Sequence, residues 1–486
     1  VSTCSEDVSD CLYRWLPSGV RYWLTNFRKL FGWDLKGNAN YDSLPKYYLE
    51  ASKGHRYEVA YRGSTLVMLS QDAVSKALQD LVNRPAAGEA GTLKVQGHDL
   101  NGSIDKRSEL GNMAMGNVGQ FYKRFGGLGL GAPVGIHDAI RPLVQRLYGT
   151  EIGEFQPAAQ AGYSGKGDGN FWTDVQLVES AREFLAETRH LNYSTHYCFW
   201  AIRQYHEIIG IDKQILSEST LGIADPAKYA QKLCEMQGPI VTASAIPRAA
   251  AYMMKWTSSS VTAAIAWRRA VQKDYTKALT KRLKIQDDQL AEDVAAAVMD
   301  AHLFAGGLSV PNWIASCIQT LYRKGTHYAM AGGGEGVLDK DFSITDFAWE
   351  VSRLMSPVHF VPFWYKNEGG GWFSSEQKVL ACTACAQYDP RVWEPDGSTL
   401  ATAFKIRPTE VYERNSIGWA DKAHNELAPE RDRWCPGKRL SLSLIVSWLT
   451  AFLEVRHKWS LEPGHTWKGQ HLSPYVKSFK LIRNDS

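Results

Sequence analysis

Three long stretches with apolar residues at helical spacing limit the fold classes open to this chain more than any other feature. They run through residues 174–211, 226–236 and 260–325, and polar or glycine-rich segments separate them. Their length and period exceed those of ordinary strands. The sequence therefore predicts a mostly helical centre.

Two zones of alternating residues predict small sheets beside the helices. Residues 56–70 alternate around a turn at 62–64, which is typical of a β-hairpin. A second zone covers 358–385 and contains a glycine-rich turn at 367–372. The predicted fold class is mainly α with small β-sheets.

The chain carries no internal repeat and no low-complexity linker. We therefore predict a single domain over residues 36–486, preceded by an amphipathic segment over 1–35. Within that segment, residues 18–31 combine an apolar and aromatic stripe with basic neighbours. Contact with a membrane surface and docking on the protein's own body are both open interpretations.

Composition excludes several classes of protein. The 486 residues are 44% hydrophobic and 12% aromatic, which excludes a disordered or collagen-like chain. A net charge of +4, spread along the chain, argues against nucleic acid as a partner, and none is expected. Eight scattered cysteines suit a reducing compartment, and no run of about 18 apolar residues predicts a membrane span.

Cys435 carries the most specific chemical signal. It lies on a Pro-Gly turn within Arg433–Leu440 and precedes an apolar helix predicted to end near Val455. The helix N-terminus and the neighbouring arginines favour a thiolate, which can bind a metal. A buried structural cysteine is the alternative, because cysteine is among the most buried residue types.

Glu350 and Arg353 form an E-x-x-R pair on a helix that Ser343 begins and Pro357 ends. At this spacing the two side chains share one helix face and can pair. An isolated pair of this kind is usually solvated. Here it precedes the segment Phe404-Lys-Ile-Arg-Pro408 and then the cysteine turn, and this order gives it meaning.

The order of these elements resembles that of the cytochrome P450 family. Its members carry a long helix over the oxygen pocket, an E-x-x-R helix, an aromatic-Arg-Pro segment and a Cys-x-Gly heme loop. The hairpin at 56–70 and the spacing from His137 to Arg141 extend the resemblance over nearly the whole chain. It implies a P450-type fold around a buried heme.

The resemblance also implies residue roles. Cys435 would be the axial thiolate ligand of heme b (iron protoporphyrin IX), whose buried propionates need cations. The implied propionate partners are His137, Arg141 and Arg433. The implied buried network is Glu350, Arg353 and Arg407, with Arg414 as the alternative to Arg407.

The helix over the iron departs from the family at two positions. Where oxygen-activating members have an acid and a threonine, this chain has Leu308 and Ser309. Serine can order a water, whereas leucine cannot relay a proton. Gly306 and Gly307 should break or loosen the helix and leave room for a ligand beside Ala305.

The same helix is similar to that of the hydroperoxide-rearranging branch of the family, the allene oxide synthases and their relatives. In that branch an asparagine precedes a glycine-rich segment, and His302 takes the asparagine position in one alignment. A histidine there could bind or protonate a peroxide oxygen. A neutral histidine packed in the helix is the alternative.

The expected function is a heme-thiolate oxidoreductase, a monooxygenase or oxidative tailoring enzyme for an apolar secondary metabolite or lipid. An NADPH-dependent reductase would dock near Lys438 and Arg439. The alternatives are a reductase-independent hydroperoxide isomerase, dehydratase or peroxygenase, and a non-catalytic heme sensor. We expect an intracellular protein, with the cytosolic face of the endoplasmic reticulum as one location and any anchor absent from this chain.

Two further motifs receive no role. Gly126–Gly131 lacks the glycine spacing and the βαβ context of a dinucleotide site, which favours a loop on the substrate side. Cys382 and Cys385 have zinc or redox spacing but no second ligand pair nearby in sequence, so packed thiols are the preferred interpretation.

Overall fold

A computed structural model shows helices packed around one core, with two sheets beside them. It describes residues 59–62, 65–83, 91–95, 98–104, 134–148, 174–192, 196–245, 259–322, 343–356, 361–366, 376–394, 401, 404–419, 434–464 and 480–484. The N-terminal segment 1–35 and the loop at 126–131 lie outside these residues.

The α-helices in this part of the chain are α1 (Gln71–Asn83), α2 (Val134–Leu147), α3 (Asp174–Glu187), α4 (Cys198–Ile209), α5 (Lys213–Ser217), α6 (Pro226–Ala245), α7 (Ser259–Leu283), α8 (Asp288–Asp300), α9 (Gly306–Tyr322), α10 (Ile344–Leu354), α11 (Thr383–Ala386), α12 (Pro390–Trp393), α13 (Thr409–Asn415) and α14 (Lys438–Val455). The strands are β1 (Val59–Arg62), β2 (Thr65–Met68), β3 (Gly91–Val95), β4 (His98–Ile104), β5 (His190–Asn192), β6 (Val361–Lys366), β7 (Glu376–Ala381), β8 (Trp459–Leu461) and β9 (Lys480–Arg483). The prediction of a mainly α protein with small sheets is confirmed.

The larger sheet joins the two zones in which the sequence predicted strands. Its order is β1-β2-β7-β6-β4-β3, and only the β2–β7 pair is parallel among the described strands. The alternation at 56–70 predicted the β1–β2 hairpin, which pairs Val59 with Met68. The parallel pair joins segments far apart in sequence, which the local pattern could not show.

The smaller sheet corrects one predicted helical stretch. Residues 174–211 do not form continuous helix, because α3 ends at Glu187 and β5 follows. Strand β5 pairs with β9 near the end of the chain, where Leu191 faces Leu481. A partner so distant in sequence leaves no local periodicity to detect.

The stretch predicted over 260–325 is interrupted once, between α7 and α8. Lys284 adopts a left-handed backbone conformation with φ of 54° after α7. Asp287 then caps α8, and its side chain accepts a hydrogen bond from the Leu290 N–H at 2.8 Å. The turn lets α7 and α8 pack against each other.

Helix α14 lies at the centre of the core. It packs against α3, α9 and α10, and its Trp448 is fully buried. Ring contacts join Trp448 to Phe184 of α3 and Trp200 of α4, at centroid distances of 5.6 and 4.9 Å. This packing fixes the start of α14, where Cys435 lies.

The central helix comprises α8, a π-helical turn at Ala301–Ala305, and α9. Within the described residues it is the one segment long and apolar enough to cross a membrane by length and composition. However, 73% of its most apolar window is buried inside the protein. Core helices of soluble proteins share this property, so we assign it to the core.

Candidate functional site

Cys435 lies directly before α14, on the turn that Pro436 and Gly437 predicted. Its N–H donates to the Trp419 carbonyl at 2.9 Å, and its carbonyl accepts from the Lys438 N–H at 3.3 Å. Its side chain is half-buried, and a Cβ on Gly437 would lie 3.7 Å from Cys435 Sγ. The sulfur thus lies against the positive end of an 18-residue helix, which favours its ionised form.

Arg141 brings a buried cation to the cysteine loop. Its side chain is 1% exposed, its Nη1 donates to the Trp434 carbonyl at 2.7 Å, and its guanidinium lies 4.6 Å from the Trp434 ring centroid. His137 lies in the same helix, α2, but its side chain and all of Arg433 lie outside the described residues. Their roles toward heme propionates stay predictions.

Lys438 corrects one expectation about partners. Its side chain is 2% exposed, and its Nζ lies 5.5 and 5.6 Å from the ring centroids of Trp349 and Trp419. This charge is held inside the protein, so it cannot form part of a docking surface. Of the two residues near which a reductase was expected to dock, Arg439 is half-buried and is still available for that contact.

The structure brings Glu350 and Arg353 together as a buried pair. Ser343 caps α10 by accepting from the Asp346 N–H at 3.0 Å, which sets the phase of the helix. Arg353 Nε and Nη2 donate to the two Glu350 oxygens at 2.9 and 2.6 Å. Its Nη1 also donates to the carbonyls of Gln387 and Ala401, at 2.9 and 2.6 Å, so the pair joins α10 to the chain that follows β7.

Arg407 completes this network. Its Nη1 donates to Glu350 Oε2 at 3.1 Å, and its Nη2 donates to the Trp393 carbonyl at 3.0 Å. Tyr412, which the sequence did not single out, donates its hydroxyl to Glu350 Oε2 at 2.8 Å. Arg414, the alternative to Arg407, is exposed on α13. The geometry therefore assigns the third position of the network to Arg407.

The central helix does not break at Gly306 and Gly307. It is loosened as a π-turn that ends at Ala305, and α9 then continues through Pro311. A Cβ on Gly306 would lie 2.5 Å from Tyr205 Oη, so the missing side chain makes room for the phenol of α4. The side chain of Ala305 lies outside the described residues, and its predicted place beside a ligand stays a prediction.

Leu308 and Ser309 follow on the first turn of α9, and both are half-buried. An apolar side chain thus occupies the position where the resemblance expected an acid. The Ser309 hydroxyl remains the polar group nearest to that position in sequence, and its role toward an oxidant stays a prediction.

His302 lies within the π-turn and is 2% exposed. Its Nε2 bonds the Tyr148 hydroxyl at 2.8 Å, its Nδ1 lies 3.5 Å from the Tyr275 hydroxyl, and its ring stacks on Tyr205 at 4.6 Å. Burial, and then the proximity of His206, lowers the pKa of His302, so the imidazole is neutral. These contacts match the alternative interpretation of His302 as a neutral histidine packed in the helix. Its role toward a peroxide stays a prediction.

Two of these tyrosines, Tyr148 and Tyr205, also interact electrostatically with Cys435. Burial raises the pKa of Tyr148 and Tyr205, and the negative charge of a Cys435 thiolate raises both further. The Tyr205 hydroxyl is buried and has no hydrogen-bond partner among the described residues. Tyr205 lies in α4 and Tyr148 directly follows α2, so no spacing in the sequence pointed to them.

The donor groups at this site can be compared with what a heme requires. A heme-thiolate iron needs one thiolate on one face, and buried propionates need cations nearby. Cys435 supplies the thiol, and Arg141 supplies a buried cation at the same loop. The residues present therefore fit this cofactor.

The cysteine pair at 382 and 385 shows a different arrangement. Both thiols are buried, and the Cys385 N–H donates to Cys382 Sγ at 3.3 Å at the start of α11. In the described ranges, no group of three or more His, Cys, Asp or Glu side chains could hold a metal ion. The geometry is that of packed thiols, with one of them capping a short helix.

Comparison with known proteins identifies the architecture. No protein-family model and no curated protein matches the sequence. Among solved structures, cytochrome P450epoK with bound epothilone B is similar to this chain, with a TM-score of 0.56 and 11% identity. The match covers 91% of this chain and 98% of the P450epoK chain. Ligand-free CYP164A2 of Mycobacterium smegmatis covers 94% and 100%, with a TM-score of 0.53 and 13% identity.

A third structure, cytochrome P450 CYP109B1 of Bacillus subtilis, covers 91% of this chain and 99% of its own, with a TM-score of 0.53 and 12% identity. These matches extend over nearly the full length of both chains at very low identity. The chain therefore has the cytochrome P450 fold.

Proposed function

We propose that this protein is a heme-thiolate oxidoreductase and that its reaction is monooxygenation of an apolar small molecule. The observation that carries the proposal is the geometry of Cys435. Its half-buried thiol lies at the N-terminus of α14, beside the buried guanidinium of Arg141, in a chain with this fold.

The side chains divide the work of holding and using the cofactor. Cys435 Sγ would bind the heme iron, and Arg141 would neutralise a propionate. The bound heme supplies the oxidative chemistry. Ser309 would hold a water that carries protons, whereas Leu308 cannot relay a proton. The Glu350 network holds Ala401, Lys405 and Arg407 against α10 and so supports the framework around the cofactor.

The substrate class is proposed by analogy with proteins of the same fold. One structural neighbour contains epothilone B, and CYP109E1 from Bacillus megaterium contains testosterone. Both ligands are predominantly apolar. We propose an apolar secondary metabolite or lipid for this chain, and an NADPH-dependent reductase as the electron donor, docking near Arg439.

Replacement of the ligand sulfur tests the proposal directly. Heme-loaded protein should give the reduced carbon-monoxide spectrum typical of thiolate ligation, and Cys435→Ser should lose it. Cys234→Ser is the matched control, because Cys234 is also half-buried but lies in α6, and it should keep the spectrum. A thiolate spectrum that survives in Cys435→Ser would refute the assignment.

A second candidate function is turnover of a hydroperoxide without a redox partner. The observation that favours it is Leu308, since this chemistry needs no proton relay to dioxygen. Purified heme-loaded protein should be given fatty-acid hydroperoxides under nitrogen, without reductase or pyridine nucleotide. Rapid product formation supports this candidate, whereas the absence of product favours an oxygenase that receives electrons from a reductase.

A further inference from the structure

Three tyrosines surround His302, and each meets it with a different geometry. We call His302, Tyr148, Tyr205 and Tyr275 the tyrosine–histidine cluster. His302 lies in the π-turn, Tyr148 directly follows α2, Tyr205 lies in α4 and Tyr275 in α7. All four are at most 4% exposed. The cluster has no part in the function proposed above.

Tyr148 makes the short hydrogen bond of the cluster, with 2.8 Å between its Oη and His302 Nε2. The imidazole is neutral and the phenol is protonated, since burial disfavours the charged form of both. A neutral imidazole can donate or accept at Nε2, depending on its tautomer. We assign Tyr148 as the donor and Nε2 as the acceptor, because 2.8 Å is typical of an O–H donor and short for an N–H donor. The proton of the neutral ring is then on Nδ1, which faces the Tyr275 oxygen at 3.5 Å.

This arrangement gives Tyr148 a base that the other two tyrosines lack. In this tautomer Tyr275 faces the protonated Nδ1 of His302, which offers it no lone pair. Tyr205 stacks on the ring, and its hydroxyl has no hydrogen-bond partner in the part of the chain that the structure describes. Of the three phenols, Tyr148 alone has a direct route for its proton to His302.

A phenol that loses one electron becomes a very strong acid and must release its proton. In a buried site, that oxidation is accessible only when a base already accepts the hydrogen bond, because an unpaired buried charge is costly. His302 meets this need even with a lowered pKa, since the oxidised phenol is a far stronger acid than imidazolium. Tyr148 also lies near enough to Cys435 for the thiolate charge to act on it.

We propose that Tyr148 is a redox-active residue whose one-electron oxidation is coupled to proton transfer to His302. The O–H bond of Tyr148 breaks, its proton forms an N–H bond at His302 Nε2, and its electron reduces the oxidised cofactor held at Cys435. The co-reactant is an organic hydroperoxide, which is reduced to its alcohol as it oxidises the heme. The products on the chain are a neutral tyrosyl radical and an imidazolium ion. The step removes one oxidising equivalent from the cofactor when no substrate is bound.

This inference rests on the proposed heme-thiolate function, and electron paramagnetic resonance tests it. Heme-loaded protein is mixed with cumene hydroperoxide and frozen within milliseconds. We expect a tyrosyl radical in the wild type, a loss of about tenfold or more in Tyr148→Phe, and an intensity within about twofold of the wild type in Tyr205→Phe and Tyr275→Phe. These two controls remove phenols from the same cluster.

A second measurement uses the wild type alone and covers the case in which Tyr148→Phe fails to bind heme. After exchange into D2O, electron–nuclear double resonance of the radical should show one strongly coupled deuteron, the one shared with His302. A thiolate spectrum with no tyrosyl radical, a radical without that coupling, or an unchanged radical in Tyr148→Phe overturns the inference but leaves the proposed function intact. Absence of the thiolate spectrum overturns both.

Discussion

Replacing Glu350 with glutamine removes one charge from the buried network at nearly constant volume. The carboxylate is fully buried and accepts from Arg353 Nε and Nη2, Arg407 Nη1, the Lys405 N–H and the Tyr412 hydroxyl. Glutamine can accept through one oxygen only, and its amide points two donors at groups that also donate. The fully buried Arg353 then loses the charge that its guanidinium pairs with, while Arg407 keeps Glu394 at 3.1 Å.

The size of the effect follows from this burial. Breaking a buried ion pair by removing one partner costs about 3–5 kcal/mol, because the remaining charge is uncompensated. For a chain of 486 residues, the unfolding entropy is roughly 1 kcal/mol per kelvin, which converts this loss to a fall of about 3–5 °C in Tm. The change also weakens the contacts of Lys405 and Arg407 with α10, so heme retention should fall with stability.

The assay is thermal unfolding of the heme-loaded protein, followed by circular dichroism and by heme absorbance. Glu235→Gln is the matched control, because Glu235 pairs with Lys232 at the same i, i+3 spacing but both side chains are about half exposed. An exposed pair contributes about 0.2–1 kcal/mol, so Tm should change by about 1 °C or less. Equal Tm values for the two variants would refute the argument that burial of Glu350 determines its contribution.

Three further outcomes are expected. Burial lowers the pKa of His206 to about 3, so below about pH 6.5 the unfolded chain binds a proton that the folded chain excludes. The free energy of unfolding that this neutral histidine permits is therefore fully present above about pH 6.5 and is lost as pH falls toward 3. Urea unfolding should show that the wild type loses about 2 kcal/mol more than His206→Phe between about pH 7.5 and 5. Gly306→Ala places a Cβ 2.5 Å from Tyr205 Oη and should lower the free energy of unfolding by about 1–3 kcal/mol. In a Tyr205→Phe background the nearest ring atom is 2.8 Å away, so the loss of stability should be smaller. An equal loss in both backgrounds would contradict this packing. Leu308→Glu combined with Ser309→Thr should raise reductase-dependent turnover by about tenfold or more if proton delivery limits the reaction, and unchanged turnover would argue against an oxygenase.

Features that depend on neighbouring residues were predictable at this site. The Ser343 cap and the i, i+3 spacing of Glu350 and Arg353 follow from helix geometry. The Pro-Gly turn after Cys435 likewise determines where α14 begins. Arg407 was anticipated only through the resemblance, which supplied the order of elements.

The remaining contacts depend on how distant segments meet. Tyr412 reaches Glu350 only because the chain returns past α10, and Lys438 turns inward onto Trp349 although its sequence neighbourhood is basic. The glycines of the central helix predicted loosening, but only packing against Tyr205 shows why Gly306 needs to lack a side chain.

The sequence by itself determined the chemical groups along the chain, the helix caps and the helices, apart from the stretch 174–211 that β5 interrupts, since these depend on residues within a few positions of each other. Tertiary structure alone decided which of those groups share a buried environment. His302 illustrates the difference: its position on a helix was readable, whereas its hydrogen bond to Tyr148 joins residues that no local pattern relates. Burial and electrostatics act through space, so the properties of the site emerge only when the segments are packed together.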